Sequence, residues 1–169
     1  MVKFKTSKEV EEFVYNSYVK YLPKIDHSKE DKIYRNPNNT KRVLELMGDP
    51  DKEGYNILVT GSKGKGSVSR LIAEILQSQG YKVGLFTSPH LIHYNERIRV
   101  NGKAITDEEL VEYGNQIKAS VEEVQSEIEG TGYIGPVGLT AVIAALYFKD
   151  KETDFNIYEC GKGARYDDV

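Results

Sequence analysis

The sequence predicts an α/β fold, a mostly parallel sheet flanked by helices, and three stretches carry that prediction. The first is Asn56-Ile57-Leu58-Val59-Thr60-Gly61-Ser62-Lys63-Gly64-Lys65-Gly66-Ser67. Residues 57–60 read as a short buried strand, and a glycine-rich turn with two interleaved lysines follows. Val68, Leu71, Ile72, Ile75 and Leu76 then recur at helical spacing. The second stretch is residues 82–86, Lys-Val-Gly-Leu-Phe, a strand that completes a strand–helix–strand unit. A unit of this length makes a right-handed parallel crossover. The third is residues 139–148, apolar nearly all round and so expected as a helix buried against the sheet, with a strand at 154–160 behind it. Strand, glycine-rich turn and helix in this order make the fold P-loop-type.

The other elements follow in chain order. Ser7 can cap a helix from Lys8 to about Leu22, with Val10, Phe13, Val14, Tyr18 and Tyr21 along one face and Pro23 as its stop. Residues 24–39 are polar, include Asn36-Pro37-Asn38-Asn39, and read as a loop. A short helix over about residues 40–47 carries Val43, Leu44 and Met47, and Gly48-Asp49-Pro50 ends it. These two helices are expected on the flank of the domain, with His27 and Arg42 solvated. Gly80 stops the helix after the glycine-rich turn. Residues 97–105 form a small hairpin around an Asn101-Gly102 type I′ turn. Thr106 and Glu109 make a capping box for a helix reaching about Glu129, with Leu110, Tyr113, Ile117, Val121, Val124 and Ile128 inward. Residues 130–138 read as a glycine-rich loop.

Composition narrows the class. A chain of 169 residues suits one compact domain with a sizeable core. Lys and Arg number 23 against 26 Asp and Glu, a net charge of −3 that argues against a general nucleic-acid binder. The single cysteine, Cys160, excludes an internal disulfide framework and fits a reducing cytosol. The first fifteen residues alternate charged and apolar side chains, unlike a signal peptide, and no stretch is long and apolar enough to span a bilayer. A cytoplasmic protein is the expectation.

The glycine-rich turn can cradle an anion. Its glycines let backbone N–H groups close around a phosphate, and the helix N-terminus adds partial positive charge. Lys65 can set a point charge on terminal phosphate oxygens, and Ser67 can offer a hydroxyl to phosphate or Mg²⁺. The spacing departs from the standard P-loop: Val59 stands where the first glycine belongs, and Gly66 where Ser or Thr follows the lysine. A flexible Gly/Lys turn is the plainer alternative. Ligands of open α/β sheets lie beyond the C-terminal strand ends, so residues 61–67, 87–96 and 159–167 should converge. Glu159 stands where a nucleotide-bound Mg²⁺ wants a hard oxygen, and its alternative is a solvated strand-end carboxylate. Ser88 could add an oxygen, or simply form the turn before Pro89. His90 and His93 stand three apart with no third zinc ligand at recognisable spacing, and Cys160 reads as a buried small residue.

Three motifs in register carry a family resemblance: Thr60 to Ser67, then Gly84-Leu85-Phe86-Thr87-Ser88-Pro89-His90-Leu91, then Asn95-Glu96-Arg97-Ile98-Arg99-Val100-Asn101-Gly102. From about Thr40 to Val169 the chain resembles the folylpolyglutamate synthase and dihydrofolate synthase branch of the Mur ligases. The resemblance implies an ATP-dependent amide ligase: ATP phosphorylates a carboxylate, an amino acid's amine attacks the acyl phosphate, and ADP and phosphate leave. In the folate branch the acceptor is a pteroate or folate and the amine is that of glutamate. It implies ATP and Mg²⁺ as cofactors, with Gly61, Ser62, Lys63, Gly64, Lys65, Gly66 and Ser67 at the nucleotide. Lys65 takes the catalytic role, and Ser88 and Glu159 hold the metal. Pro89, His90, Arg165 and Asp167 fall in the loops on the substrate side.

Two departures are visible. Val137-Gly138 replace a Phe-Glu pair that seats the pterin, and Lys162 and Ala164 intrude on a glycine-rich run after the last strand. The family is also substantially longer than this chain. The expectation is therefore an incomplete Mur-ligase central domain, with residues 1–50 a helical flank and 51–169 the ATP-binding portion. The amino-acid-binding domain would be absent, the isolated chain inactive in ligation, and its open sheet edge prone to self-association. A ligase of a non-folate carboxylate and a non-catalytic nucleotide-binding module are the competing readings.

Overall fold

The computed structural model describes residues 2–26, 28 and 34–161. Its elements are α1 (Ser7–Tyr21), α2 (Pro37–Leu46), β1 (Tyr55–Val59), α3 (Lys65–Ser78), β2 (Val83–Phe86), β3 (Ile98–Val100), β4 (Lys103–Ala104), α4 (Asp107–Glu127), α5 (Pro136–Asp150) and β5 (Phe155–Glu159).

Helix starts follow local chemistry, and three differ from expectation. Thr6 rather than Ser7 caps α1, because Glu9 lies three residues into the helix and closes a capping box with it. The stretch Asn36-Pro37-Asn38-Asn39 is not loop but the start of α2. Asn36 accepts a hydrogen bond from the Asn38 amide, and Pro37 takes the first helical position, where no N–H is needed. Pro136 opens α5 in the same way, inside the stretch expected as loop. Pro23 lies in a 3₁₀ turn, Leu22–Lys24, that prolongs α1. The capping box of Thr106 and Glu109 stands as the sequence predicts. So does the hairpin turn, where Asn101 and Gly102 both have positive φ, 47° and 75°.

Among the described residues the sheet has five strands, ordered β1-β5-β2-β3-β4. β1, β5 and β2 are parallel, aligned at Tyr55, Phe155 and Val83, and β3 and β4 add antiparallel. The two strands joined by α3 do not pair, because β5 lies between them. β5 and β2 are covered on both faces and almost wholly buried, as the inner strands of a parallel sheet are.

Helices flank both faces. On one, α5 is buried from Gly138 to Phe148 and packs with α1, α2 and α4 around Phe86, Ile98 and Tyr158 of the sheet. Gly84 makes this approach possible: a Cβ there would lie 2.7 Å from the Phe148 ring. On the other face α3 sets Ala73, with Ile72 and Leu76, against Val59, Val83, Leu85 and Ile157. The alternation along β2, with Val83 and Leu85 toward α3 and Phe86 toward α5, is the period-2 pattern of a strand covered on both sides.

Candidate nucleotide-phosphate site

Because β1, β2 and β5 are parallel, the chain leaves all three at the same end of the sheet. After β1 it turns through exposed Gly61, Ser62, Lys63 and Gly64 into α3. Gly64 is the N-cap with φ 77°, a left-handed conformation that glycine takes without steric cost. Among the described residues no side chain caps this helix start, so its first-turn amides point outward uncommitted to a cap. Lys65 spans the turn, its Nζ donating to the Gly61 carbonyl at 2.8 Å.

Gly66 and Ser67, in the first turn of α3, line a cleft of about 360 Å³ together with Thr87, Ser88, Pro89, His90 and Glu159. Glu159, the last residue of β5, is only 8% exposed. Its Oε2 accepts the Ser88 N–H at 3.3 Å. A Cβ on Gly66 would stand 3.4 Å from the same oxygen, so the bare glycine lets the carboxylate lie against the helix start. The cleft thus joins the start of α3 to the ends of β2 and β5. Gly61 to Lys65 are not among its lining residues.

The far wall is the segment between β2 and β3. The Ser88-Pro89 peptide is cis. Glu96 draws the segment together by accepting the amides of Leu91, Ile92 and His93 at 3.1, 3.2 and 2.9 Å. Those bonds, the His93 amide's first, hold its carboxyl below the usual carboxylate range. Arg97 is 5% exposed. It donates from Nε to His90 Nδ1 at 3.0 Å and from Nη2 to the Tyr15 hydroxyl at 3.2 Å. Leu91 and Ile92 project outward at the tip, 90% and 78% exposed.

Arg70, Glu96 and Arg99 also line the cleft, and sequence reasoning assigned them no role. Their signal was present: charged residues within and beside apolar strand and helix patterns. His90 and His93 gain no third partner, and among the described residues no group of three or more His, Cys, Asp and Glu could hold a metal. His93 instead caps the short turn Tyr94–Arg97. Cys160 is buried directly after Glu159. Arg42 meets Glu45, Glu123 and Glu127 at 3.7–3.9 Å on the surface. His27, Lys162, Ala164, Arg165 and Asp167 lie outside the described residues.

No protein-family profile matches the chain. Over 130 residues, 75% of its length, it is 41% identical to the dihydrofolate synthase/folylpolyglutamate synthase of Bacillus subtilis (strain 168), of which it covers 29%. The chain belongs to the folylpolyglutamate synthase/dihydrofolate synthase branch of the Mur ligases. The folylpolyglutamate synthase of Lacticaseibacillus casei is 32% identical over 74% of this chain and 29% of its own. A folylpolyglutamate synthase solved with AMPPCP and folate superposes with a TM-score of 0.80 at 26% identity, over 97% of this chain and 37% of that one. The Thermotoga maritima folylpolyglutamate synthase gives 0.74 at 30% identity, over 94% and 35%. The chain therefore spans about a third of the length of the family members it matches. In this member of the folylpolyglutamate synthase family, Gly66 and Ser67 at the start of α3, the Ser88 loop and Glu159 meet in one cleft. No helix among its described residues is long and apolar enough to cross a membrane.

Proposed function

We propose that this chain is the nucleotide-binding portion of an ATP-dependent, ADP-forming ligase that adds glutamate to a folate through an acyl phosphate. The observation that carries this reading is the Glu159 carboxylate seated against the bare first turn of α3 at Gly66, with the Ser88 backbone bonded to it. Two negative groups, a carboxylate and a polyphosphate, share that space only with a cation between them. Glu159 and the Ser88 hydroxyl are hard oxygen donors, the kind Mg²⁺ takes in ones and twos alongside substrate phosphates. Bound there, Mg²⁺ would neutralise charge developing on the phosphates.

The chain's own residues divide the remaining work. Residues 61–67 hold the phosphates through backbone amides and the Ser67 hydroxyl. Lys65, one side-chain swing from the Gly61 carbonyl it now bonds, supplies the mobile positive charge and is the catalytic residue of this reading. Pro89 and His90 form the wall toward the acceptor; Arg165 and Asp167, outside the described residues, are assigned to the substrate side by the family resemblance alone. Residues 1–50 serve as a helical flank and 51–169 as the ATP-binding portion, in a cytoplasmic enzyme whose amino-acid site lies on a further domain. A non-folate carboxylate is the second reading, favoured by Val137-Gly138 at the start of α5 in place of the Phe-Glu pair of the folate branch.

Calorimetry of a non-hydrolysable ATP analogue against the chain, with and without Mg²⁺, tests the reading. The wild type should bind more tightly with Mg²⁺. Glu159→Gln should lose most of that dependence, about 1.5–3 kcal/mol for one charge-assisted contact, with the circular dichroism spectrum unchanged. An Mg²⁺ response identical in both proteins removes Glu159 from the site. A panel of carboxylate acceptors offered to the complete gene product separates folate from other substrates.

A further inference from the structure

His90 is held more firmly than a residue of a surface loop needs to be. Its Nδ1 accepts the Arg97 Nε–H at 3.0 Å, and its ring meets Tyr94 edge-on, with centroids 5.8 Å apart. Arg97 is fixed in turn by the Tyr15 hydroxyl of α1 and by the Tyr94 ring, 5.4 Å from its guanidinium carbon. Tyr94 is anchored by a 2.6 Å hydrogen bond to Thr140 of α5. Residues from two helices that do not touch the cleft thus set the orientation of one imidazole.

The bond from Arg97 also decides the tautomer. A guanidinium N–H can only donate, so Nδ1 must present its lone pair and the ring N–H resides on Nε2. Nδ1 faces Arg97, which does not line the cleft, whereas His90 does, beside Gly66, Ser67 and Ser88. His90 lines this cleft and also a neighbouring cavity of about 810 Å³, and Nε2–H is the ring donor that Arg97 leaves uncommitted.

We propose that His90 donates a hydrogen bond from Nε2 to the terminal phosphate of the bound nucleotide, and that Arg97, backed by Tyr15, is the positioning residue that fixes the donor tautomer. This rests on the nucleotide reading of the same cleft. It adds a contact from the loop between β2 and β3, independent of the glycine-rich turn. A pre-aimed neutral donor strengthens as charge accumulates on the phosphoryl oxygens and needs no reorganisation when it does.

The test combines spectroscopy and calorimetry on the whole chain. Long-range ¹H–¹⁵N spectra of the wild type should show His90 protonated on Nε2, a readout that no variant's folding can confound. His90→Asn, whose amide reaches only the Nδ1 position, should weaken binding of the non-hydrolysable ATP analogue about tenfold. ADP binding, which lacks the terminal phosphate, should change less than about twofold on the same arithmetic. His90→Gln, whose amide reaches the Nε2 position, should recover most of the affinity. Arg97→Lys keeps the charge and loses the aimed Nε–H. It should mix the tautomers and weaken analogue binding, with no further loss when combined with His90→Asn. A proton on Nδ1 in the wild type, equal losses for Asn and Gln, or equal losses of ADP and ATP-analogue affinity would each overturn the proposal while leaving the nucleotide reading intact. A wild-type chain that binds neither nucleotide overturns the reading itself and the contact with it.

Discussion

The first turns of α3 and α4 meet opposite requirements. α4 closes on itself. The Thr106 hydroxyl accepts the Glu109 amide, the Glu109 carboxylate accepts the Thr106 amide, and Asp107, Glu108 and Glu109 all stand in the first turn. Glu109 is tied further, to Lys151 at 2.7 Å and to the Tyr147 hydroxyl. α3 has none of this: its N-cap is a glycine, its first turn holds no acidic residue, and a lysine opens it. Positive potential at a helix start attracts negative charge whether that charge is built in or brought by a ligand. In α4 it is built in. In α3 the sequence withholds it, and the nearest carboxylate, Glu159, comes from another strand. A helix start kept bare, with its acid supplied by a distant part of the chain, is what the nucleotide proposal requires of a binding end.

The strongest way to break this contrast is to give α3 an acid of its own. Gly64→Asp has open space around it, with nothing within 4 Å of a Cβ. It should lower affinity for an ATP analogue at least about tenfold through charge opposed to phosphate. Gly64→Asn carries the same backbone cost at positive φ without the charge, and should retain most of the binding. Equal losses in both variants would assign the effect to backbone strain. The mirror-image change is Thr106→Ala. Removing that cap should cost about 1 kcal/mol of stability, read as a melting temperature lower by about 2–4 °C, and leave nucleotide affinity unchanged. The smallest effect concerns Glu96, whose carboxyl is lowered by the amides it accepts. A group with a depressed folded pKa contributes fully at neutral pH, and the contribution disappears as pH falls through the folded value. Amide exchange at Leu91, Ile92 and His93 should therefore quicken relative to the rest of the chain as the pH falls below the ordinary carboxylate range. Glu96→Gln should show that quickening already at neutral pH. Protection of these amides unchanged by acid would remove Glu96 as the clasp.

Local chemistry was the part of this molecule easiest to read in advance. The Thr106–Glu109 box, the Asn101-Gly102 turn and the apolar run of α5 each announce themselves within a few residues. Proline misled twice. Pro37 and Pro136 each fall in a stretch that reads as loop, yet each stands at a first helical position, where a missing N–H costs nothing. Of the residues lining the cleft, Gly66, Ser67, Ser88 and Glu159 follow from the convergence of parallel strand ends, and Pro89 and His90 from the family resemblance, whereas Gly61 to Lys65, expected with them, do not line it. The tie between Arg97 and Tyr15 could not, since 82 residues separate the partners and neither has a local signature for the other. The position of β5 was equally hidden: strand order depends on which apolar faces can be covered at once, and no window of sequence contains that information.

That strand order has a consequence for how the molecule comes into being. β5 is the last of the described strands to be synthesised, yet it occupies the slot between β1 and β2. Until it arrives, β1 has no neighbour in the described sheet. Aligning Tyr55 with Phe155 closes a loop of 100 residues, an entropic cost of about 4 kcal/mol beyond the length-independent part. Such non-local pairing is slow. Glu159 is the final residue of β5, so its carboxylate lies against Gly66 only once that strand has paired. A chain without β5 in place would hold the glycine-rich turn without the acid that faces it, so on the nucleotide proposal Mg²⁺-dependent phosphate affinity should appear only with the pairing of β5.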